Sequence, residues 1–406
     1  MTQSGTPQDF RQPYHFCTYF DRNYLTRGLA LYHSLRRHCR RPFVLWTLCF
    51  DDETFAVLSR LNLVGIRLVR RADFEADDAD LAAARANRTA VEYYWTCTPS
   101  LPLYVLRQDE SIEVITYLDA DLFFFSDPQP IFDEFGDGSI LIHGHRYAPE
   151  HAHFAETSGI FNVGLLVFRR DNFGLECLWW WRERCNEWCY ARFEDSKYGD
   201  QKYLDDWPER FRGVIVLQHP GAGLAPWNIS QYQIESAENH ILVNGYSLIF
   251  FHFHALKVVS PYVVAPSGAG YKVDYSRVAG IFITYATALR KAAYECGFNY
   301  AKEISESSTI KIISGLLNQK TLFTRNLALS KLIWKTSGKR CSAKSEIYIA
   351  SHFVREGEKS KAKNIINHAF FTFPLIVFER VFISVAMRYV FGNLFVERLK
   401  YLTGRY

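Results

Sequence analysis

Four short apolar runs, at 14–20, 43–50, 66–69 and 113–118, recur along the first part of the chain with helix-spaced stretches between them. They are rich in aromatic and β-branched residues and lack a clean polar alternation, the mark of strands buried on both faces. Residues 24–38 carry Leu25, Leu29, Leu31 and Leu35 at helical spacing, and Asp51-Asp52-Glu53 opens a helix to about Leu61 with acid in its first turn. A third helix is predicted over 73–92, acidic and then alanine-rich. Strands alternating with helices require βαβ units, so the fold class is α/β with a largely parallel sheet. Beyond Asp121 the spacing predicts strands at 140–143, 161–168, 214–217 and 248–254, a helix over 172–192, and a helical pattern from about Arg277 onward.

Composition excludes disorder for most of the 406 residues, since 48% are hydrophobic and 22% charged. The net charge of +4 hides a split. Residues 1–300 hold 29 Lys and Arg against 36 Asp and Glu, whereas residues 301–406 hold 18 against 7, and no aspartate follows Asp274. Such asymmetry suggests one portion built for chemistry and another for an anionic surface. The polar N-terminus predicts no secretory signal, and nine scattered cysteines read as reduced thiols in the cytoplasm. Cys177, Cys185 and Cys189 share one predicted helix, but no matching CxxC or histidine pair makes them a metal clip. Residues 369–396 are apolar yet broken by Pro374, Glu379, Arg380 and Arg388, which suits lying in an interface better than spanning one.

Four local patterns carry chemistry. In Thr116-Tyr-Leu-Asp119-Ala-Asp121, an apolar strand ends in two carboxylates one residue apart. At the carboxyl end of a central parallel strand they would lie in the ligand crevice and could grip a hard cation; the alternative is a solvated turn. In Ile249-Phe-Phe-His252-Phe-His254-Ala-Leu-Lys257, two histidines alternate with aromatics, and an imidazole could complete a metal shell while Lys257 neutralises a diphosphate. The alternative is a pair of packed core histidines. Gly199-Asp200-Gln201 is either a site pair or a helix N-cap. Asn162 beside Gly164 in an apolar strand marks a close ligand approach or a structural bulge. The histidine-rich stretch 143–158 reads as an active-site lid or a surface loop, and Trp179, Trp180 and Trp181 cannot share one helical face.

Taken in order, these motifs resemble the GT-A (Rossmann-like) nucleotide-diphospho-sugar transferases, and within them the family-eight retaining type of the bacterial surface-polysaccharide group. The resemblance runs from Tyr14 to Lys257 and implies a catalytic domain over 14–275, after an N-terminal tail at 1–13 and before a helical, basic, amphipathic region at 276–406. It implies that Asp119 and Asp121 hold Mn²⁺ or Mg²⁺ together with His252 or His254. It further implies catalytic roles for Asp200 and Gln201 near the anomeric carbon, and a sugar-facing role for Asn162. Thr18, Tyr19, Asp21, Asn23 and Tyr24 match the nucleotide pocket, with Tyr19 or Tyr24 stacking on the base and Asp21 reading its edge. Lys257 stands one residue earlier than the resemblance requires, and the usual glycine after the histidine is replaced by Ala255.

The expected function is transfer of a sugar, with retention, from a nucleotide-diphosphate donor such as a UDP-hexose to a glycan or lipid-linked glycan acceptor in bacterial surface polysaccharide or lipopolysaccharide biosynthesis. The alternative is a non-catalytic sugar-nucleotide-binding or scaffold protein with a degenerate transferase fold. A nucleotidyltransferase would need glycines near the first strand, and Cys17–Tyr24 has none. The basic C-terminal region lacks a nucleic-acid motif, so no nucleic acid is expected as a partner. Its partner would be an anionic membrane surface, placing the protein in the cytoplasm, peripheral at the inner face of the cytoplasmic membrane.

Overall fold

The structure, a computed structural model, describes residues 12–76, 78–237, 240–260, 263–265, 271 and 273–297. The chain divides into two compact units: Met1–His254 with Tyr271–Ile281, and Ala255–Gly270 with Phe282–Tyr406.

The first unit opens with β1 (Tyr14–Phe20), α1 (Leu25–His38), β2 (Phe43–Cys49), α2 (Asp52–Leu61) and β3 (Ile66–Arg70), within a residue or so of the predicted bounds. Local chemistry accounts for the ends. Asp51 accepts the Thr54 N–H at 2.7 Å to cap α2, and Asn62 closes it in the left-handed region. Arg36 and Arg37 put positive charge at the carboxyl end of α1.

The single helix predicted over 73–92 is instead three, α3 (Arg71–Ala76), α4 (Ala79–Arg85) and α5 (Ala90–Gln108). The breaks have causes. Asp78 caps α4 through the Leu81 N–H, and Thr89 with Glu92 forms a reciprocal capping box that starts α5. The second half of α5 runs through Pro99 and Pro102, both buried.

Next come β4 (Val114–Leu118), β5 (Leu122–Phe124), α6 (Gln129–Phe135), β6 (Ile140–Gly144), α7 (Phe154–Ser158), β7 (Phe161–Arg169), α8 (Asn172–Glu187), α9 (Trp207–Arg210) and β8 (Val214–Leu217). A three-stranded meander of β9 (Ile234–Ala237), β10 (His240–Val243) and β11 (Tyr246–Ser247) precedes β12 (Phe250–His252).

The central sheet has the order β3-β2-β1-β4-β7-β6-β8. Neighbours are parallel except at β7, which runs against both β4 and β6. The predicted α/β class with a largely parallel sheet therefore holds, with one reversed strand.

Alternate residues serve opposite faces. Ile140, Ile142, Leu166 and Phe168 join Trp181, Trp207 and Leu101 on one side, while Leu141, Leu165 and Val167 join Leu31, Leu35, Ile131 and Phe250 on the other. Both faces are covered, which is why the strands read as continuous apolar runs.

In the second unit, β13 (Lys257–Ser260) pairs antiparallel with β14 (Val263–Ala265). The last described helix is α10 (Tyr275–Cys296). No helix among the described residues is long and apolar enough to cross a membrane. The N-terminal tail up to residue 11 and the basic region beyond 297 lie outside the described residues.

Candidate metal centre

The chain leaves β4 at Leu118, turns tightly through Asp119-Ala120-Asp121, and re-enters extended structure as β5. The Leu122 N–H donates to the Asp119 carbonyl at 3.2 Å, and the Asp119 N–H donates to Gly164 on β7 at 2.9 Å. β5 then pairs antiparallel with β12, setting His252 opposite Leu122, and the Phe253 N–H closes on the Asp121 carbonyl at 3.0 Å. A pairing between distant segments therefore brings the imidazole to the acids. His252 Nε2 lies 3.1 Å from Asp121 Oδ1 and 3.7 Å from Asp119 Oδ2. One ligand atom from each residue falls within 4.8 Å of the others, and no other such group of three occurs among the described residues.

The electrostatics are those of a buried cluster of opposed charges. Burial disfavours charge on all three groups. On His252 the two carboxylates outweigh burial and raise its pKa. On Asp121 burial is overcome by His252, which holds the carboxyl below its ordinary range. Asp119 is raised, chiefly by burial, with His252 opposing and Asp121 adding to the rise. Its Oδ1 accepts the Tyr117 hydroxyl at 2.8 Å. Two carboxylate oxygens and one imidazole nitrogen form a donor set that fits a divalent metal ion.

His252, not His254, belongs to the group. Strand β12 ends at His252, and His254 is exposed after it. The two rings lie 5.8 Å apart and both meet Trp227, at 5.3 and 5.6 Å. Asn162 sits directly behind His252. Its Oδ1 lies 3.2 Å from His252 Nδ1 and accepts the Gly164 N–H at 2.9 Å. The register between β6 and β7 also shifts beside it, so the strand pair is irregular there. A side chain at Gly164 would meet Asn162 Oδ1 at 2.7 Å and His252 Nδ1 at 3.0 Å, so this position has no room for one.

Asp200 is buried and caps no helix: the short 3₁₀ turn after it has no side-chain cap. Its carbonyl accepts the Trp181 indole N–H at 2.8 Å, and Trp181 is itself fully buried on α8. Burial pushes the Asp200 carboxyl up to about 7, against a hydrogen bond from Thr98 and with a contribution from the Asp119 charge. Gln201 Nε2 donates to the Ser158 carbonyl at 2.8 Å. Of the three tryptophans on α8, Trp181 is core and Trp179 is exposed.

The proposed nucleotide residues separate by burial. Thr18 is fully inside the sheet, and Tyr19 packs against Phe50 and Tyr117 with its hydroxyl 3.0 Å from Thr98 Oγ1. Tyr24 is 40% exposed. The Asp121 charge, with burial second, pushes its hydroxyl up to about 12, which ties Tyr24 to the acid pair. Asp21 spends its oxygens on the N–H groups of Asn23 and Tyr24, the Asn23 amide and the Tyr94 hydroxyl. Asn23 is exposed in that turn, and Lys257 is exposed at the start of β13.

The stretch 143–158 mixes buried histidines with the exposed Pro149, Glu150, Ala152, His153 and Glu156. It holds a 3₁₀ turn at Pro149–His151 and α7, and His143, His145 and His151 are buried. The sequence alone assigned no partner to Thr98, to Tyr117 beside the acids or to Trp181 of the tryptophan trio. Trp227 carried a signal, since Pro226-Trp227 stands out, but nothing local ties it to His252.

Fold and site define a mixed α/β protein with a candidate metal centre at the carboxyl end of a central strand. No protein-family model matches the chain. It is 33% identical over 249 residues to the uncharacterized protein YfnD of Bacillus subtilis (strain 168), covering 61% of this chain and 79% of YfnD. Over 252 residues it is 33% identical to the uncharacterized protein YfnF of the same organism, covering 60% and 82%. The chain belongs to the family of YfnD and YfnF.

Among solved structures, it is similar to the galactosyltransferase LgtC in complex with donor and acceptor sugar analogs, at 14% identity, 72% of this chain, 98% of that one and a TM-score of 0.43. It is also similar to mouse xyloside xylosyltransferase 1, at 14% identity, 60% and 98% coverage and a TM-score of 0.38. At that level of overlap the likeness carries no chemistry to this chain.

Proposed function

We propose that the protein is a metal-dependent glycosyltransferase of GT-A type and family-eight character, moving a hexose from a nucleotide-diphosphate donor, such as a UDP-sugar, to a glycan or lipid-linked glycan with retention. The observation that carries this reading is the convergence of Asp119, Asp121 and His252 at the end of β4. The buried Asp200 supports it, because its carboxyl senses the Asp119 charge.

When bound, Mn²⁺ or Mg²⁺ supplies Lewis-acid stabilisation of the leaving diphosphate. Asp119, Asp121 and His252 hold it, with Asp119 Oδ1 fixed by Tyr117. The exposed Tyr24 ring stacks on the base, and Asp21 shapes the turn that presents it. Asp200 stabilises positive charge at the anomeric carbon once ionised, and Gln201 orients the acceptor. With one acid assigned there, front-face attack within an ion pair accounts for retention better than a double displacement. The basic region from residue 301 holds the enzyme at an anionic cytoplasmic membrane surface, where a lipid-linked acceptor lies.

A screen of nucleotide sugars with Mn²⁺, read by mass spectrometry and by NMR of the product linkage, tests this. The expected result is metal-dependent transfer with retained configuration, reduced at least about a hundredfold in Asp121→Ala. An inverted linkage removes the family-eight assignment, and binding of a sugar nucleotide without turnover makes the chain a non-catalytic binder.

A further inference from the structure

Behind the acid pair runs a buried line of hydrogen bonds whose direction is set by one backbone group. The Gly164 N–H can only donate, and it meets Asn162 Oδ1 at 2.9 Å. That orients the amide: Oδ1 faces Gly164 and His252 Nδ1, and Nδ2 faces His145 Nε2 at 3.2 Å. Oδ1 has no proton to give, so His252 Nδ1 carries the proton, and Nε2 is the atom turned to Asp121 and Asp119. Nδ2 has only protons to give, so His145 Nε2 accepts. Burial keeps His145 neutral and able to accept, by pushing its pKa well below the ordinary histidine value.

His145 is held from several sides. Its ring stacks on Tyr147 at 4.6 Å and 10°, and meets the edge of Trp227 at 5.1 Å. Its carbonyl accepts the Trp227 indole N–H at 2.9 Å and the Asn228 amide at 2.8 Å. The aromatic shelf that holds His145 thus shares Trp227 with His252 itself.

We infer that His145 is a positioning residue of the metal centre, acting through Asn162 to hold His252 with Nε2 presented to the acids. The inference rests on the metal-site reading above. It adds a residue that touches neither ion nor donor, and gives Asn162 a role toward the histidine. Outer partners of a metal-binding imidazole fix its tautomer and ring orientation, and their loss typically weakens metal binding about 10–100-fold.

The test is the Mn²⁺ dissociation constant of the full chain, measured calorimetrically, with thermal melting to confirm folding. His145→Phe and Asn162→Ala are expected to weaken Mn²⁺ about 10–100-fold. His145→Gln, whose amide oxygen can accept from Asn162, is expected to stay within roughly threefold of wild type. In the unmodified chain, ¹⁵N-imidazole NMR is expected to find a proton on His252 Nδ1.

If wild type binds Mn²⁺ through Asp121 and His252 while His145→Phe and Asn162→Ala bind equally well, the positioning role is overturned and the metal site stands. A His252 Nδ1 without a proton overturns it in the same way. If wild type shows no Mn²⁺ binding that depends on Asp121, the metal reading falls and the positioning role falls with it.

Discussion

Asp200 is held in a place that suits its neutral form. With its pKa near 7 in the fold and an ordinary value of 3.8 in the unfolded chain, the folded state holds a proton that the unfolded state has lost between these limits. Stability contributed at this site is therefore greatest below the unfolded pKa and declines as pH rises toward 7. Asp200→Asn should flatten that slope in the metal-free protein and raise Tm at pH 8 by at least about 2 °C, read by calorimetry at pH 5 and 8. A variant less stable than wild type at pH 8 would count against a buried carboxylate. The same change should lower transfer activity, because stability at such a site is commonly traded for function. A different residue-scale case is Asp78, which caps α4 and also takes Arg182 of α8 at 3.0 and 2.5 Å. Asp78→Ala leaves that guanidinium without its nearly buried partner and should cost about 3–5 kcal/mol in chemical denaturation.

Elements, rather than single residues, decide which parts of the site can be read from sequence. β1, α1, β2, α2 and β3 follow from periodicity and caps, because each is specified by its own neighbours. The second half of α5 does not, because Pro99 and Pro102 argue against a helix locally and only their burial against the sheet overrides that preference. The acid pair was legible as the abrupt end of an apolar strand. The choice between His252 and His254 was not, since it depends on where the β5–β12 ladder stops. The Asn-x-Gly pattern was noticed, but its meaning needed the third partner, His252, from 90 positions away. Gly164→Ala makes this concrete. Its added carbon would collide with the Asn162–His252 contact. It should destabilise the fold by about 1–3 kcal/mol and weaken Mn²⁺ binding, as checked by denaturation and titration. Unchanged metal affinity would mean the strand shifts without disturbing His252.

For the whole molecule, charge is unevenly shared. Every proposed catalytic group lies in the acidic first 300 residues, while residues 301–406 carry a net charge of +11. The full chain should float with vesicles containing anionic lipid, remain behind with neutral ones, and be released as salt shortens the reach of the attraction. Equal flotation with both vesicle types would rule out electrostatic anchoring.

The strand pair that carries His252 has a further consequence, one of timing. Ser126 and Leu248, which flank the pair, bond across 122 positions of chain. Contacts so distant in sequence are slow to form, so this ladder should be among the last parts to assemble. An ion held by both strands would tie that loop shut. Backbone amides of 250–253 should then exchange hydrogen with solvent more slowly in Mn²⁺ than in chelator, and this protection would report assembly of the site before any sugar is supplied.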